Sequence, residues 1–279
     1  MSQGSGAGAK VPRGRRALAL TALLAAFAAS LLLDAAGPEP IARSARADTS
    51  AERPIVPPGY HHIVRSWHRR DSGARAPVDA KGRPMLVLHA MYLKERVALP
   101  VETDRGGFAP ADIARASHVL REPGTQREHP VDPRTLGLLY RIQRRFDAPE
   151  IRVLSGYRAP KGDKGRTSNH GRGRAVDFVV PGAEDEEVAR FARQFGFAGV
   201  GIYPVSSFVH VDIRPRSYFW RDKSGPGHKN RERGILPDLA RRADESAVAR
   251  GEGPPPLYVP PGGSPGAPPA AVDEDEDED

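Results

Sequence analysis

The sequence predicts an α+β domain: a small, mostly antiparallel sheet with flanking helices, carried by residues 81–222. Two observations predict it. Within that stretch the helix-period segments come mainly before a run of short strand-type segments, the order of an α+β fold rather than of alternating βαβ units. Outside it, composition changes: Gly and Pro make up about a fifth of the 279 residues and are densest in the C-terminal stretch, residues 250–272. Such segments bury too little apolar surface to pack and read as disordered tails.

Each element has its own signal. MLVLHA (Met85–Ala90) and Tyr92–Leu99 read as a pair of short strands. Pro110–Leu120 places Ile113, Ala116, Val119 and Leu120 at helical spacing. Asp132-Pro133 opens a stronger helix, with Asp132 as N-cap, Pro133 in the first turn, and Leu136, Leu138, Leu139, Ile142 and Phe146 on its buried side. Ile151–Leu154 is a strand, followed by a loop through Ser155–Tyr157. Ala175–Val180 is the next strand, and Glu184–Gln194 is a helix burying Val188, Phe191 and Ala192. Gly199–Tyr203 and Phe208–Asp212 complete the sheet.

The ends carry different information. Lys10, Arg13, Arg15 and Arg16 precede the uncharged, Ala/Leu-rich run Ala17–Leu33, so residues 1–47 read as an export signal. Arg15-Arg16-Ala17-Leu18 also resembles a twin-arginine signal. An uncleaved segment would instead anchor the chain in a membrane; either way the body lies outside the cytoplasm, in the periplasm or cell envelope. Residues 48–80 read as an irregular linker, 223–249 as a basic C-terminal extension, and 250–279 as a Pro/Gly-rich linker with an acidic tail.

Charge narrows the function classes. The chain holds 42 Lys+Arg against 35 Asp+Glu, but seven of the acids form the terminal DEDEDED. The remainder is strongly basic and suits a polyanionic or carboxylate-rich partner. No recognisable nucleic-acid-reading motif accompanies that charge, and an export signal argues against nucleic acid as the partner. The absence of cysteine excludes disulfide scaffolds, thiolate metal sites and cysteine nucleophiles. Any metal must use His and carboxylate ligands.

Two segments concentrate the chemistry: SGYRAPKGDKGRTSNHGRGRAVDFV (155–179) and GVGIYPVSSFVHVD (199–212). His170 and Asp177 lie seven apart across a Gly-rich turn, and His210 sits in mid-strand. Two imidazoles and a carboxylate offer three zinc ligands and leave a fourth position open, the pattern of a catalytic rather than a structural site. From spacing alone, a surface His beside a strand-end Asp is the commoner meaning of such a pair.

The order of motifs — SGYR, then SxHxxGxAxD through Ser168, His170, Gly173, Ala175 and Asp177, then GVGxYPxSxFVHVD — resembles the MepK-type murein endopeptidases of the D-Ala-D-Ala metallopeptidase family. Their zinc core is similar to those of lysostaphin-type enzymes and hedgehog domains. The likeness covers roughly residues 82–220 and neither tail. It implies His170, Asp177 and His210 as ligands of Zn2+, and zinc-dependent hydrolysis of peptidoglycan crosslinks of the D-Ala–diaminopimelate type by attack of zinc-bound hydroxide. Peptidoglycan stem peptides are the implied partner.

Individual roles follow. Arg158 is a candidate to bind a wall-peptide carboxylate or steady the oxyanion. Ser168 suits a hydrogen-bonding support role near His170, and Tyr203 either lines the cleft or packs in the core. Gly171 and Gly173 let the turn carry His170 back to the sheet. Some relatives place an acid three residues before the last ligand, where this chain has Ser207. Asp212, on the same strand face as His210, is therefore the candidate general base or the carboxylate that orients an imidazole; pairing with Arg214 or Arg216 is the plainer reading. The early strand pair departs from the family's Asn-x-His-Thr-Gly-Glu pattern, keeping His89 and Glu95 loosely in place. His61, His62, His68, His118, His129 and His228 have no partners at metal spacing. The competing reading is a non-catalytic, zinc-containing peptidoglycan-binding domain.

Overall fold

The computed structural model of the chain describes residues 56–160, 168–228, 235–256 and 258; the segment read as an export signal, the acidic tail and the cationic loop residues Lys161, Lys164 and Arg166 lie outside the described residues. Seven strands form one sheet in the order β2-β1-β3-β4-β6-β5-β7. They are β1 (Met85–Ala90), β2 (Glu95–Pro100), β3 (Ile151–Ser155), β4 (Ala175–Val179), β5 (Ala198–Tyr203), β6 (Phe208–Ile213) and β7 (Tyr218–Arg221). Four neighbouring pairs are antiparallel, and two, β1–β3 and β5–β7, are parallel. The α+β class and the mostly antiparallel sheet follow the sequence pattern.

Five helices accompany the sheet: α1 (Tyr60–His68), α2 (Pro110–Val119), α3 (Pro133–Arg145), α4 (Asp185–Ala192) and α5 (Pro237–Ala249). Of these, α2 packs on β1 and β2, α3 on β1 and β6, α4 on β5 and β6, and α5 on β7. Side chains alternate along each strand. Val176 and Phe178 of β4, Val209 and Val211 of β6, and Val200 and Ile202 of β5 therefore join Leu136, Leu139 and Ile142 of α3 in one core. The alternate positions, Asp177, His210 and Asp212, fall on the opposite face, so the pleat itself separates packing from chemistry.

Local chemistry explains the element ends. Asp132 caps α3, accepting the Arg134 backbone N–H at 3.0 Å, with Pro133 in the first turn. Three acids, Asp185, Glu186 and Glu187, sit in the first turn of α4, where the helix dipole favours negative charge. The second strand begins at Glu95 rather than Tyr92, because Met91–Lys94 form the hairpin turn and Lys94 takes a positive φ of 56°.

Three elements differ from the sequence reading. The expected irregular linker contains α1, whose Tyr60, Val64 and Trp67 recur at helical spacing; Trp67 is buried and meets Tyr60 edge-to-face at 6.0 Å. Pro57, Pro58 and Gly59 just before it mask that short signal. The strand β7 adds Phe219 to the core and Trp220 to the other face. Beyond residue 222, α5 buries Ala240, Ala243 and Ala247, a small-residue stripe with a weak apolar signal.

Candidate metal centre

The site begins with strand register. Asp177 of β4 lies directly opposite His210 of β6 in the antiparallel ladder. His210 Nδ1 comes within 2.8 Å of Asp177 Oδ1. His170 arrives from a one-turn 3₁₀ segment, His170–Arg172, which Gly173 ends with a φ of 66°, a conformation that favours glycine. That turn sets His170 Nε2 3.2 Å from His210 Nδ1 and 3.5 Å from Asp177 Oδ1. Among the described residues, these three form the one group of His, Asp and Glu side chains close enough to share a metal ion, and all three are buried.

Each imidazole has its outer nitrogen anchored. His170 Nδ1–H donates to the Gly156 carbonyl at 2.7 Å, leaving Nε2 turned to the cluster. His210 Nε2–H donates to Asp212 Oδ2 at 2.9 Å, leaving Nδ1 turned to the same point. Two imidazole nitrogens with their second nitrogens locked, plus one carboxylate, is the donor set zinc prefers when one coordination position stays open. The residues present fit zinc.

Charge is concentrated in this small volume. Arg158 donates to Asp177 Oδ2, to Ser155 Oγ at 2.8 Å, and lies 3.0 Å from His170 Nε2. Burial alone would raise the Asp177 carboxyl, but the charges of His170 and Arg158 outweigh it and hold it well below the usual carboxylate range. Burial lowers His170. Burial also opposes a charged His210, yet its bonds to Asp177 and Asp212 prevail and push its pKa up to about 9.

Asp212 is 0% exposed, and burial would raise its carboxyl, but Arg214 overrides that and holds it low. Arg214 donates Nε to Oδ1 at 2.7 Å and Nη2 to Oδ2 at 2.5 Å, and Asn169 Nδ2 adds a bond to Oδ1 at 3.1 Å. Asp212 thus stands against the outer nitrogen of His210, where a carboxylate can orient the imidazole. Both of its oxygens are engaged by donors and the residue is buried. The plainer expectation, a pair with Arg214, holds at the same time.

Other expected residues sit further out. Ser168 Oγ accepts the Gly171 N–H at 3.3 Å and so braces the turn. Tyr203 stacks on Phe208 at 4.3 Å, and its hydroxyl accepts the Trp220 indole N–H at 3.1 Å. Ser207 takes a positive φ of 54° in the β5–β6 turn. Glu95 is held by Arg121 through two bonds of 2.6 and 2.8 Å, and His89 lies 3.4 Å from Glu150. His68 pairs with Asp185 at 3.1 Å and His118 with Glu128 at 3.0 Å, away from the cluster.

Sequence reasoning missed Asn169, the Gly156 carbonyl and Trp220, whose ring packs 5.1 Å from His210. The signal for the last was the GVG of β5. A Cβ on Gly201 would overlap the Trp220 indole, and one on Gly199 would overlap the Asp212 carboxylate. Both glycines are there to leave room for neighbouring side chains.

Residues 78–218, about half of the chain, match the family described as Peptidoglycan L,D-endopeptidase MepK. The chain is 32% identical over 120 residues to the probable peptidoglycan L,D-endopeptidase MepK of Haemophilus influenzae, a match covering 39% of this chain and 64% of that relative. It is 28% identical over 126 residues to the peptidoglycan L,D-endopeptidase MepK of Escherichia coli K12, covering 42% and 69%. The chain thus spans just under two-thirds of the Haemophilus relative's length. No solved structure matches it significantly. With His170, Asp177 and His210 converging inside the matched span, the chain belongs to the MepK family of M15 peptidases.

Proposed function

We propose that this protein is a zinc-dependent peptidoglycan endopeptidase that hydrolyses peptide crosslinks in the cell envelope. The observation that carries the reading is the buried His170–Asp177–His210 cluster with the outer nitrogen of each imidazole anchored, within a chain of the MepK family. His170 Nε2, His210 Nδ1 and the Asp177 carboxylate would hold the ion, which when bound supplies a Lewis acid and a water of lowered pKa.

The chain's own residues do the rest. Arg158 presents an always-charged guanidinium at the rim of the cluster, suited to a stem-peptide carboxylate or to negative charge developing on the scissile carbonyl. Asp212 holds the His210 ring in place. The expected D-Ala–diaminopimelate bond joins two D-centres, whereas the similar proteins are named L,D-endopeptidases. The bond proposed is accordingly a crosslink between an L- and a D-centre. The N-terminal segment would export the chain; among the described residues no helix is long and apolar enough to cross a membrane.

A second reading, a zinc-containing wall-binding domain without catalysis, draws on one observation: Ser207 stands where some relatives carry an acid, and Asp212 is engaged elsewhere. A muropeptide digest decides between them. Zinc-loaded wild type should consume crosslinked dimers, with product masses naming the bond, while His210→Ala leaves them intact. Persistence of every dimer beside a wild type that retains zinc would sink the enzymatic reading and favour the binding domain.

A further inference from the structure

Asp212 is the most heavily bonded carboxylate of the site, and its four donors come from three places in the chain. Each oxygen takes two: Oδ1 from Arg214 Nε and Asn169 Nδ2, Oδ2 from Arg214 Nη2 and His210 Nε2. Arg214 is itself held, its guanidinium lying 5.3 Å from the Tyr218 ring and 5.8 Å from that of Trp220. Asn169 is the residue immediately before His170, in the loop that delivers that ligand.

We propose that Asn169, Asp212 and Arg214 act as one positioning unit that aims both zinc-binding imidazoles, so that Arg214 and Asn169 govern metal affinity without touching the metal. The inference rests on the ligand assignment made above. An imidazole turns about two bonds, and the acceptor on Nε2 holds the outer edge of the His210 ring so that Nδ1 faces the cluster. That acceptor is itself a short side chain with its own torsions. A planar guanidinium fork fixes a carboxylate in both position and plane, which a lysine ammonium does not. Asn169 then ties the His170 loop to the carboxylate that orients His210, so the two ligands share one reference point.

A simple surface ion pair would not look like this. Surface pairs are exposed and contribute little, whereas Asp212 is fully buried and Arg214 nearly so. The neighbouring strand carries Gly199 where any side chain would overlap the carboxylate. The pair has been given space on the ligand face rather than placed at the rim.

The test is zinc affinity of the full chain, by competition with a chromophoric chelator, together with the visible absorption of the cobalt(II)-substituted protein. Arg214→Met should weaken zinc by about 10–100-fold, the range seen when the partner of a metal-bound histidine is removed. Arg214→Lys should fall between it and wild type, and Asn169→Ala should lose less than Arg214→Met. The cobalt bands should shift in each, a change that a purely structural ion pair would not produce. Asn169→Ala lies on a turn, and Arg214→Lys keeps the charge, so both remain readable if Arg214→Met does not fold. Zinc affinities within about threefold of wild type and unchanged cobalt spectra in the folded variants would overturn the positioning unit. Wild-type zinc affinity in His210→Ala would instead overturn the ligand assignment itself.

Discussion

At the residue scale, the unusual feature is a histidine surrounded by two carboxylates. In the metal-free fold His210 is raised to about 9, above its ordinary value of 6.5, despite burial. Its proton therefore stabilises the metal-free protein fully below about pH 6.5, and that contribution is lost as pH climbs toward 9. A metal ion competes for the same Nδ1 lone pair. Zinc binding at pH 7.5 should release about one proton, and apparent affinity should rise with pH up to about 9. Calorimetry in two buffers of different ionisation heat measures this directly; zero release would remove His210 Nδ1 from the ligand set. The same crowding makes Gly199 intolerant. A methyl there must displace Asp212 or Arg214, so Gly199→Ala should cost about 1–3 kcal/mol of stability in a urea titration and weaken zinc as well.

At the element scale, α3 is joined to the sheet by more than apolar contact. Gln143 is fully buried; its Oε1 accepts the Val87 N–H at 2.8 Å and its Nε2 donates to the Met85 carbonyl at 3.0 Å. It supplies to β1 the hydrogen bonds that β3 does not reach, because their pairing starts only at Leu88 and Ile151. Gln143→Leu should therefore cost about 2–4 kcal/mol by chemical denaturation, since two buried backbone groups lose their partners. The sequence made most elements legible where period and capping agreed, as in Asp132-Pro133 for α3. It hid α1 and α5 for physical reasons. One is a nine-residue helix behind Pro57, Pro58 and Gly59, the other a stripe of alanines whose burial depends on the surface they meet. At the site, ligand types and spacing were readable. The division of labour around Asp212 was not, because the i, i+2 positions of His210, Asp212 and Arg214 do not reveal which of them bond.

For the described body as a whole, the working unit extends past residue 222. Asp244 of α5 accepts the backbone N–H groups of Phe197 at 2.6 Å and Ser217 at 2.9 Å, and the Ser217 hydroxyl at 2.6 Å. The family match ends at residue 218, before this helix. A chain ended at 222 should lose about 3 kcal/mol relative to one ended at 258, a drop of roughly 6–12 °C in Tm. Equal melting temperatures would make α5 an ornament rather than a support.

The place of Trp220 against His210 has a practical consequence. The chain has two tryptophans; Trp67 lies on α1, while Trp220 lies in ring contact with His210. An excited indole gives up an electron readily to a protonated imidazole, and far less to one whose nitrogen is bound to zinc. The protein thus carries its own optical gauge. In a Trp67→Phe background, emission from the single remaining indole should brighten as His210 sheds its proton, either to rising pH or to metal, turning site occupancy into a signal read without label or substrate.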